Sequence, residues 1–178
     1  MAMDEFTIVT KARAFVRQVN STAIPAPIDA YIDKAGAKLK LDKTMKPDEA
    51  GYSYELKGIH HIVINANDRC ERQNFTICHE LAHIILRLPS EHGSDPWWSY
   101  AKRSPNEIAC DVFAAELLLP YHVFKPLVEK ADFGFAAVSD LAKQFEASLT
   151  ATGSRFATVI DAPCAFVLAE QGKVRYPA

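Results

Sequence analysis

The sequence has few cysteines and they are not arranged in pairs. Cys70, Cys78, Cys110 and Cys164 are scattered, and no C-x-x-C pair is present. This excludes the common cysteine-built zinc sites and the disulfide frameworks of small secreted domains. Positive charge is not in excess either, since the formal net charge is −2. The overall composition therefore does not indicate a protein that binds nucleic acid or an acidic membrane surface.

Long hydrophobic runs are also missing. No stretch approaches the roughly 20 apolar residues of a membrane-spanning helix, and residues 1–5 lack the basic and apolar regions of a signal peptide. With 178 residues, 49% hydrophobic and 24% charged, the chain can bury a sizeable core. We expect a cytoplasmic protein in a reducing compartment, folded as one domain or as one domain with a small appendage.

The most informative segment is His-Glu-Leu-Ala-His at residues 79–83. His79 and His83 are four residues apart, so on a helix they lie on one face and their imidazoles can bind one cation. Glu80 stands beside the first histidine, where it can take a proton from a water on that cation. This spacing is the pattern of zinc metallopeptidases.

A catalytic zinc takes three protein ligands and keeps a fourth position for water, so a third ligand is required. Glu107 is the leading candidate, because its predicted helix carries Asp111 one turn later on a face that continues into apolar residues. Two unpaired carboxylates would be costly to bury there. We predict one zinc ion per chain, bound by His79, His83 and Glu107. Asp111 would accept a hydrogen bond from the other nitrogen of a ligand histidine.

Simpler interpretations exist for these acidic residues. Glu107 is the last residue of a Ser-x-x-Glu segment, which is typical of a capping box at a helix start. Asp111 alone is typical of a solvated helix face, and Glu80 could form an ion pair with Arg87. The complete set of residue types favours the metal site over these alternatives.

Other histidines and tyrosines leave alternatives open. His60 and His61 are rivals for the third ligand, but neighbouring strand residues point to opposite faces, so at most one could reach a cleft. A residue that stabilises the oxyanion cannot be chosen from the sequence. The candidates are Tyr100, Tyr121, His92 and His122.

Periodicity predicts an α+β fold in which helices predominate. Two strands are expected at Tyr52–Leu56 and Ile59–Asn65, after a loop at Lys40–Gly51. A longer loop is expected from Pro89 to Arg103, and a terminal hairpin turns at Gln171 and Gly172. Helices are predicted at Glu5–Val19, Ile28–Leu39, Gln73–Leu88, Pro105–Leu119, Tyr121–Lys130, Val138–Glu146 and Leu149–Ile160.

Two blocks of the sequence carry a resemblance to a known family. The segment Arg72–Leu86 resembles the signature of the ImmA/IrrE zinc metallopeptidases. The segment Glu107–Pro120 is similar to the second block of the family. That block consists of a glutamate followed by a small residue, by Asn or Asp, and then by Phe-Ala-Ala-x-Leu-Leu-x-Pro. A glutamate with an aspartate four residues later also resembles the third-ligand motif of gluzincins. Three departures, Ala82, Cys110 and Leu119, remove no functional group.

The resemblance implies a mainly helical zinc-peptidase domain with a small antiparallel or mixed sheet beside the HExxH helix. This domain would span residues 1–131, and residues 132–178 would form a helix-turn-helix-like segment with a short hairpin, either separate from the first unit or packed with it. The implied mechanism is attack of a zinc-activated water, deprotonated by Glu80, on a peptide carbonyl next to the metal. Members of the family typically cleave a specific helix-turn-helix repressor, which would be the partner here.

A DNA-binding or partner-binding regulator with a structural zinc site and no peptidase activity is the competing hypothesis. The segment from Leu141 to Phe156 resembles a helix-turn-helix. Its charges, Lys143 and Arg155 against Glu146 and the preceding Asp140, sum to zero, however, so direct binding to nucleic acid is not expected. The presence of Glu80 argues against an inactive partner-binding protein. The sequence does not indicate an oligomeric state.

Overall fold

Seven helices and five strands make up the described part of the chain, which covers residues 3–89, 104–171 and 173–177 of a computed structural model. They are arranged as an α+β fold, as predicted. In chain order the elements are α1 (Glu5–Val19), α2 (Ile28–Ala35), β1 (Ala37–Asp42), β2 (Gly51–Leu56), β3 (Ile59–Asn65), α3 (Cys70–Leu86), α4 (Pro105–Leu118), α5 (Tyr121–Lys130), α6 (Phe135–Phe145), α7 (Leu149–Val159), β4 (Val167–Glu170) and β5 (Lys173–Pro177).

The prediction for residues 28–51 is wrong in one respect. The helix that begins at Ile28 ends at Ala35, because Gly36 adopts the left-handed conformation with φ 65° and forms the C-cap. Residues 37–42, expected to be partly helix and partly loop, form strand β1. Their alternation of lysine and leucine is the period-2 pattern of a strand, and β3 supplies the partner for it.

The three strands form a small mixed sheet in the order β1-β3-β2. β3 is central, pairing in parallel with β1 and antiparallel with β2, so that Leu39 and Ser53 both lie opposite Ile62. Ile62 and Ile64 are fully buried. In the described residues β2 therefore forms one edge of the sheet, and its outer side carries backbone groups with no strand beside them.

Helix α3 packs against β2 and β3 of this sheet, and at Gly51 the packing leaves no room for a side chain. A Cβ atom there would lie 2.8 Å from Ile64 Cδ1 and 2.8 Å from Thr76 Cγ2, so only glycine fits. Two strand residues and four helix residues advance by about the same distance, roughly 6–7 Å. Ser53 consequently lies next to Glu80, one helical turn beyond Thr76.

Helix α4 packs against α3 and α1, and the core extends from there into the C-terminal helices. Buried core residues of these elements include Ile8, Leu81, Phe113, Leu117, Phe124, Phe145 and Phe156.

The C-terminal helices contact the rest of the molecule through a buried carboxylate. Glu116 of α4 is 1% exposed and pairs with Arg155 of α7, and Arg155 Nε also donates to the Leu119 carbonyl at 3.2 Å. The Tyr121 backbone N–H donates to Glu116 at 2.9 Å. These contacts attach α7 to α4, whereas the division at residues 131 and 132 stays a prediction. None of the described helices combines the length and apolar character needed to span a bilayer.

Candidate metal centre

Helix α3 carries the His-Glu-Leu-Ala-His segment, and both of its sides are buried there. His79 is 6% exposed, Glu80 0% and His83 4%. All residues from Thr76 to His83 are buried, as predicted for a helix in the interior of a domain. Polar side chains at such positions require partners, and those partners come from α4, from β2 and from the Leu88 carbonyl just after α3.

Glu107 lies in the first turn of α4 and faces both histidines. The backbone N–H of Glu107 donates to Ser104 Oγ at 3.3 Å, so the serine caps the helix as its sequence predicts. The carboxylate itself points to α3, with Oε2 3.0 Å from His79 Nε2 and Oε1 3.4 Å from His83 Nε2. The cap and the contact with the histidines are therefore compatible, and the two interpretations of Glu107 do not exclude each other.

Asp111 lies one turn further along α4 and contacts the other nitrogen of the first histidine. Its Oδ1 is 2.9 Å from His79 Nδ1, and the aspartate is 7% exposed. Because a carboxylate only accepts, Nδ1 carries the hydrogen and donates it. When Nδ1 is the donor, Nε2 is the nitrogen that can bind a cation, and it faces Glu107.

His83 is oriented in the same way by the backbone at the end of α3. Its Nδ1 lies 3.3 Å from the carbonyl oxygen of Leu88, which can only accept. Nδ1 is therefore the donor, and Nε2 of His83 presents its lone pair 3.1 Å from Nε2 of His79. Each ring is thus held with its Nε2 facing the same point.

The spacing of the three facing groups suits a metal ion. His79 Nε2 lies 3.0 Å from Glu107 Oε2 and 3.1 Å from His83 Nε2, and His83 Nε2 lies 3.4 Å from the other carboxylate oxygen, Glu107 Oε1. A tetrahedral zinc ion with ligand bonds of about 2.0–2.1 Å spaces its ligands by roughly 3.3 Å. The donor set of two imidazoles and one carboxylate is also that of known catalytic zinc sites. The buried cluster therefore fits a divalent ion in both geometry and chemistry.

In the metal-free protein a proton on His79 can supply the positive charge that an ion would otherwise bring, and the pKa of His79 reflects this. Burial lowers this pKa, but hydrogen bonds to Asp111 and Glu107 and the nearby negative charges outweigh burial and raise it to about 9. The pocket thus favours a positive charge on or beside this ring.

Glu80 contacts the sheet through a hydrogen bond to one of its carboxylate oxygens. Ser53 Oγ, on β2, donates to Glu80 Oε2 at 2.7 Å. Ser53 is not among the site residues that the sequence predicts. The available signal was the alternation in residues 51–55, which places Gly51, Ser53 and Glu55 on one face of the strand and Tyr52 and Tyr54 on the other.

The remaining candidates lie elsewhere or outside the described residues. His61 stacks on Tyr54, with ring centroids 5.0 Å apart, on the face of the sheet opposite Ser53. The Tyr121 ring lies under Arg13, whose guanidinium carbon is 4.1 Å from the ring centroid. His122 Nε2 lies 3.1 Å from the Ser21 carbonyl oxygen. His92 and Tyr100 are among residues 90–103, which are not described.

A helix with two facing histidines and an adjacent glutamate, together with a carboxylate from a second helix, is an arrangement typical of metallopeptidases. The profile of the IrrE N-terminal-like domain matches residues 32–156. The chain belongs to the ImmA/IrrE family of metallopeptidases, which confirms the resemblance seen in the two sequence blocks.

Relatives of the chain support the same assignment. The radiation response metalloprotease IrrE of Deinococcus radiodurans is 30% identical over 115 residues, 63% of this chain and 35% of the relative. The protein of the same name from Deinococcus deserti is 33% identical over 95 residues, 51% of this chain and 34% of the relative. The chain thus spans about a third of the length of these relatives.

A solved structure has the same fold. It is titled a Mycobacterium tuberculosis transcriptional regulator, and it aligns with a TM-score of 0.65 at 13% identity, over 94% of this chain and 55% of that one. At this identity the likeness concerns the fold alone. It extends beyond the matched domain to nearly the whole chain.

Replacing Glu107 tests the ligand set. We expect Glu107→Ala to lose nearly all bound metal, because two histidines alone bind a zinc ion much more weakly. Asp111→Asn should weaken binding roughly 10- to 100-fold, the usual effect of losing the partner of a ligand histidine. Metal content after dialysis, measured by mass spectrometry, checks both. Glu129→Ala removes an exposed carboxylate and is the control; retention of one ion per chain by Glu107→Ala would remove Glu107 from the site.

The raised pKa of His79 predicts how the metal-free protein responds to pH. The pKa is about 9 in the folded chain and about 6.5 in an unfolded one. The stabilisation is therefore complete below about pH 6.5 and is lost as pH rises through about 9. Urea unfolding of chelator-treated protein should show this decline, and His79→Gln should flatten it. A free energy of unfolding that rises over this interval in the wild type would contradict the charge balance described here.

Proposed function

We propose that the chain is a zinc-dependent endopeptidase that cuts one specific regulatory protein in the cytoplasm. The observation that carries this proposal is the placement of Glu80, buried one residue from His79 and on the same helix as both histidines. A structural metal site needs only its protein ligands and has no use for a buried carboxylate that serves as a base. A peptidase needs it as the general base.

His79, His83 and Glu107 are proposed to bind the zinc ion, with Asp111 orienting His79. A zinc ion held there would lower the pKa of a water in its open position and polarise a peptide carbonyl. The three ligands have the number and residue types of a catalytic site, since a structural site uses a fourth protein ligand. Among the described residues, the candidate cluster contains three ligands.

Glu80 is proposed to accept the proton of the attacking water and to pass it to the leaving amine. Two features of the chain support this. The side chain is fully buried, so that bulk water does not compete for its oxygens. It is also adjacent in sequence to a ligand, which keeps it beside the reacting atoms while the histidine remains in place.

The open edge of β2 is proposed to hold the substrate in an extended conformation. Asn65 N–H donates to the Ala50 carbonyl at 2.9 Å, so this facing pair is hydrogen-bonded. Antiparallel pairs alternate, and therefore the backbone groups of Gly51, Ser53 and Glu55 point away from β3 to the open edge. A peptide that added a strand there would lie next to Ser53, the β2 residue whose side chain contacts Glu80.

The substrate is proposed to be a helix-turn-helix repressor, whose cleavage would relieve repression. The membership of the ImmA/IrrE family supports this class. A peptide that adds a strand to this short edge is bound mainly through its backbone. Selection of one protein would therefore require further contacts away from the edge of β2.

A DNA-binding function is supported less well. Arg155, one of the two basic residues of the segment that resembles a helix-turn-helix, forms an ion pair with the buried Glu116. Its side chain is 11% exposed, and it serves to attach α7 to α4. Lys143 lies 3.5 Å from Asp140. Phosphate binding would need a basic surface beyond these two residues.

Replacement of Glu80 separates the peptidase from a metal-binding regulator. Zinc-loaded wild-type protein should cut a purified helix-turn-helix repressor, and peptides from a whole-proteome digest should reveal the preferred bond. Glu80→Gln keeps the size of the side chain, so we expect unchanged metal content and a cleavage rate lower by roughly 10²–10⁴. Intact-mass analysis of the substrate checks this. Equal cleavage by wild type and Glu80→Gln would refute the assigned base, and no cleavage of any peptide by wild type would favour the regulator.

Proline at position 55 tests whether the substrate binds at the open edge of β2. Glu55→Pro removes one N–H from the open edge of β2 without removing a hydrogen bond to β3. We expect KM to rise roughly five- to tenfold, the value of about one hydrogen bond, with kcat nearly unchanged. Glu55→Ala, which keeps the N–H, is the control. Steady-state kinetics on the identified peptide provide the measurement, and an unaltered KM in the proline variant would place the peptide elsewhere.

A further inference from the structure

We propose that Ser53 is a positioning residue for Glu80: its hydroxyl sets the plane of the carboxylate that serves as general base. This inference rests on the proposed peptidase function and adds to it a residue from outside the two family motifs. Ser53 lies on β2, 27 residues before Glu80 in the chain. The fold, rather than the HExxH helix, would therefore orient the base.

The hydrogen bond between Ser53 and Glu80 is short, and its Glu80 end is fully buried. Ser53 Oγ lies 2.7 Å from Glu80 Oε2, and Glu80 is 0% exposed. The final torsion of a glutamate side chain is broad, so that burial alone does not fix the orientation of the two oxygens. A hydroxyl that donates to one oxygen fixes both, because they belong to one planar group. The remaining oxygen is then held in one direction relative to the neighbouring His79.

The backbone determines that Ser53 occupies this place. Gly51 lets β2 approach α3 until Thr76 Cγ2 would lie only 2.8 Å from a Cβ atom. Ser53 lies two residues beyond Gly51 on the strand, and Glu80 lies one turn beyond Thr76 on the helix, so these two residues also face each other. Thr76 cannot take over the role, because its hydroxyl donates to the Arg72 carbonyl at 2.8 Å. The packing of β2 against α3 thus places the Ser53 hydroxyl next to the Glu80 carboxylate.

The same residue also lies on the proposed substrate edge. The N–H and C=O of Ser53 point to the open side of β2, while its side chain points to α3. A peptide hydrogen-bonded to the Ser53 backbone would be separated from Glu80 by a single side chain. The position of the scissile bond and the orientation of the base would then be set by one residue.

A purely structural role predicts different behaviour. If the hydroxyl only satisfied a buried carboxylate, its loss would lower the free energy of unfolding without a selective effect on the chemical step. A positioning role predicts a lower kcat with KM, metal content and overall fold retained. These quantities can be measured separately in the same variants.

Ser53→Ala and Ser53→Thr are the test pair, each assayed as zinc-loaded full chain on the peptide identified by the proteome digest. We expect Ser53→Ala to lower kcat roughly 10- to 100-fold, by analogy with the loss of a hydrogen-bonding partner of a metal ligand, with KM within twofold of wild type. Ser53→Thr keeps the hydroxyl and should recover most of the rate. Thr76→Val removes a hydroxyl from the same strand–helix interface, one turn from Glu80, and should leave kcat unchanged.

A crystal structure of Ser53→Ala gives a readout that does not depend on turnover. We expect the Glu80 carboxylate to rotate or to occupy more than one orientation, with His79 and His83 unmoved. An unchanged carboxylate, an unchanged kcat, or a loss of metal and kcat together would overturn the inference. A threonine variant that cuts no faster than the alanine variant would overturn it as well. If wild type cuts nothing, the proposed function fails. If wild type cuts but Ser53→Ala behaves as wild type does, only this inference fails.

Discussion

Glu107 and Asp111, two carboxylates one turn apart on α4, are buried against two imidazoles on α3. Burial of negative charge in a protein interior is costly unless a positive charge is placed beside it. Here the positive charge can be a proton on His79 or a divalent ion among three converging atoms. The packing of α3 against α4 and the chemistry of the site therefore depend on the same electrostatic balance.

The rest of the fold holds these groups in place from several directions. The Leu88 carbonyl orients His83 and Asp111 orients His79, while Ser104 fixes the start of the helix that carries Glu107. At the other end of α4, the pair of Glu116 and Arg155 attaches the C-terminal helices. The likeness of fold to the mycobacterial structure covers nearly the whole chain, including these C-terminal helices.

Much of the candidate site could be predicted from the sequence because helical periodicity converts spacing directly into direction. Residues 79 and 83 share a face of α3, as residues 107 and 111 share a face of α4, whatever the rest of the chain does. The meeting of these two faces is a tertiary contact, which local patterns do not determine. The need for a third metal ligand and the two carboxylates on an otherwise apolar helix face are the features of the sequence that indicate it.

Strand β1 and Ser53 show where local patterns fail. The apolar pattern of residues 28–39 predicts one helix that continues past Gly36, although that residue ends the helix. The six-residue strand that follows is defined by its pairing with β3. Ser53 has an ordinary strand environment in the sequence. Its contact with Glu80 depends on how closely β2 approaches α3 at Gly51, a distance that no spacing of residues encodes.

The most direct test of the central claim is an anomalous difference map at the zinc absorption edge, from crystals of the protein grown with zinc. A peak about 2.0–2.2 Å from Nε2 of His79, Nε2 of His83 and an oxygen of Glu107 is expected, with the Asp111 carboxylate still on Nδ1 of His79. A peak bound through Nδ1 of either ring, or one that Glu107 does not approach, would contradict the account.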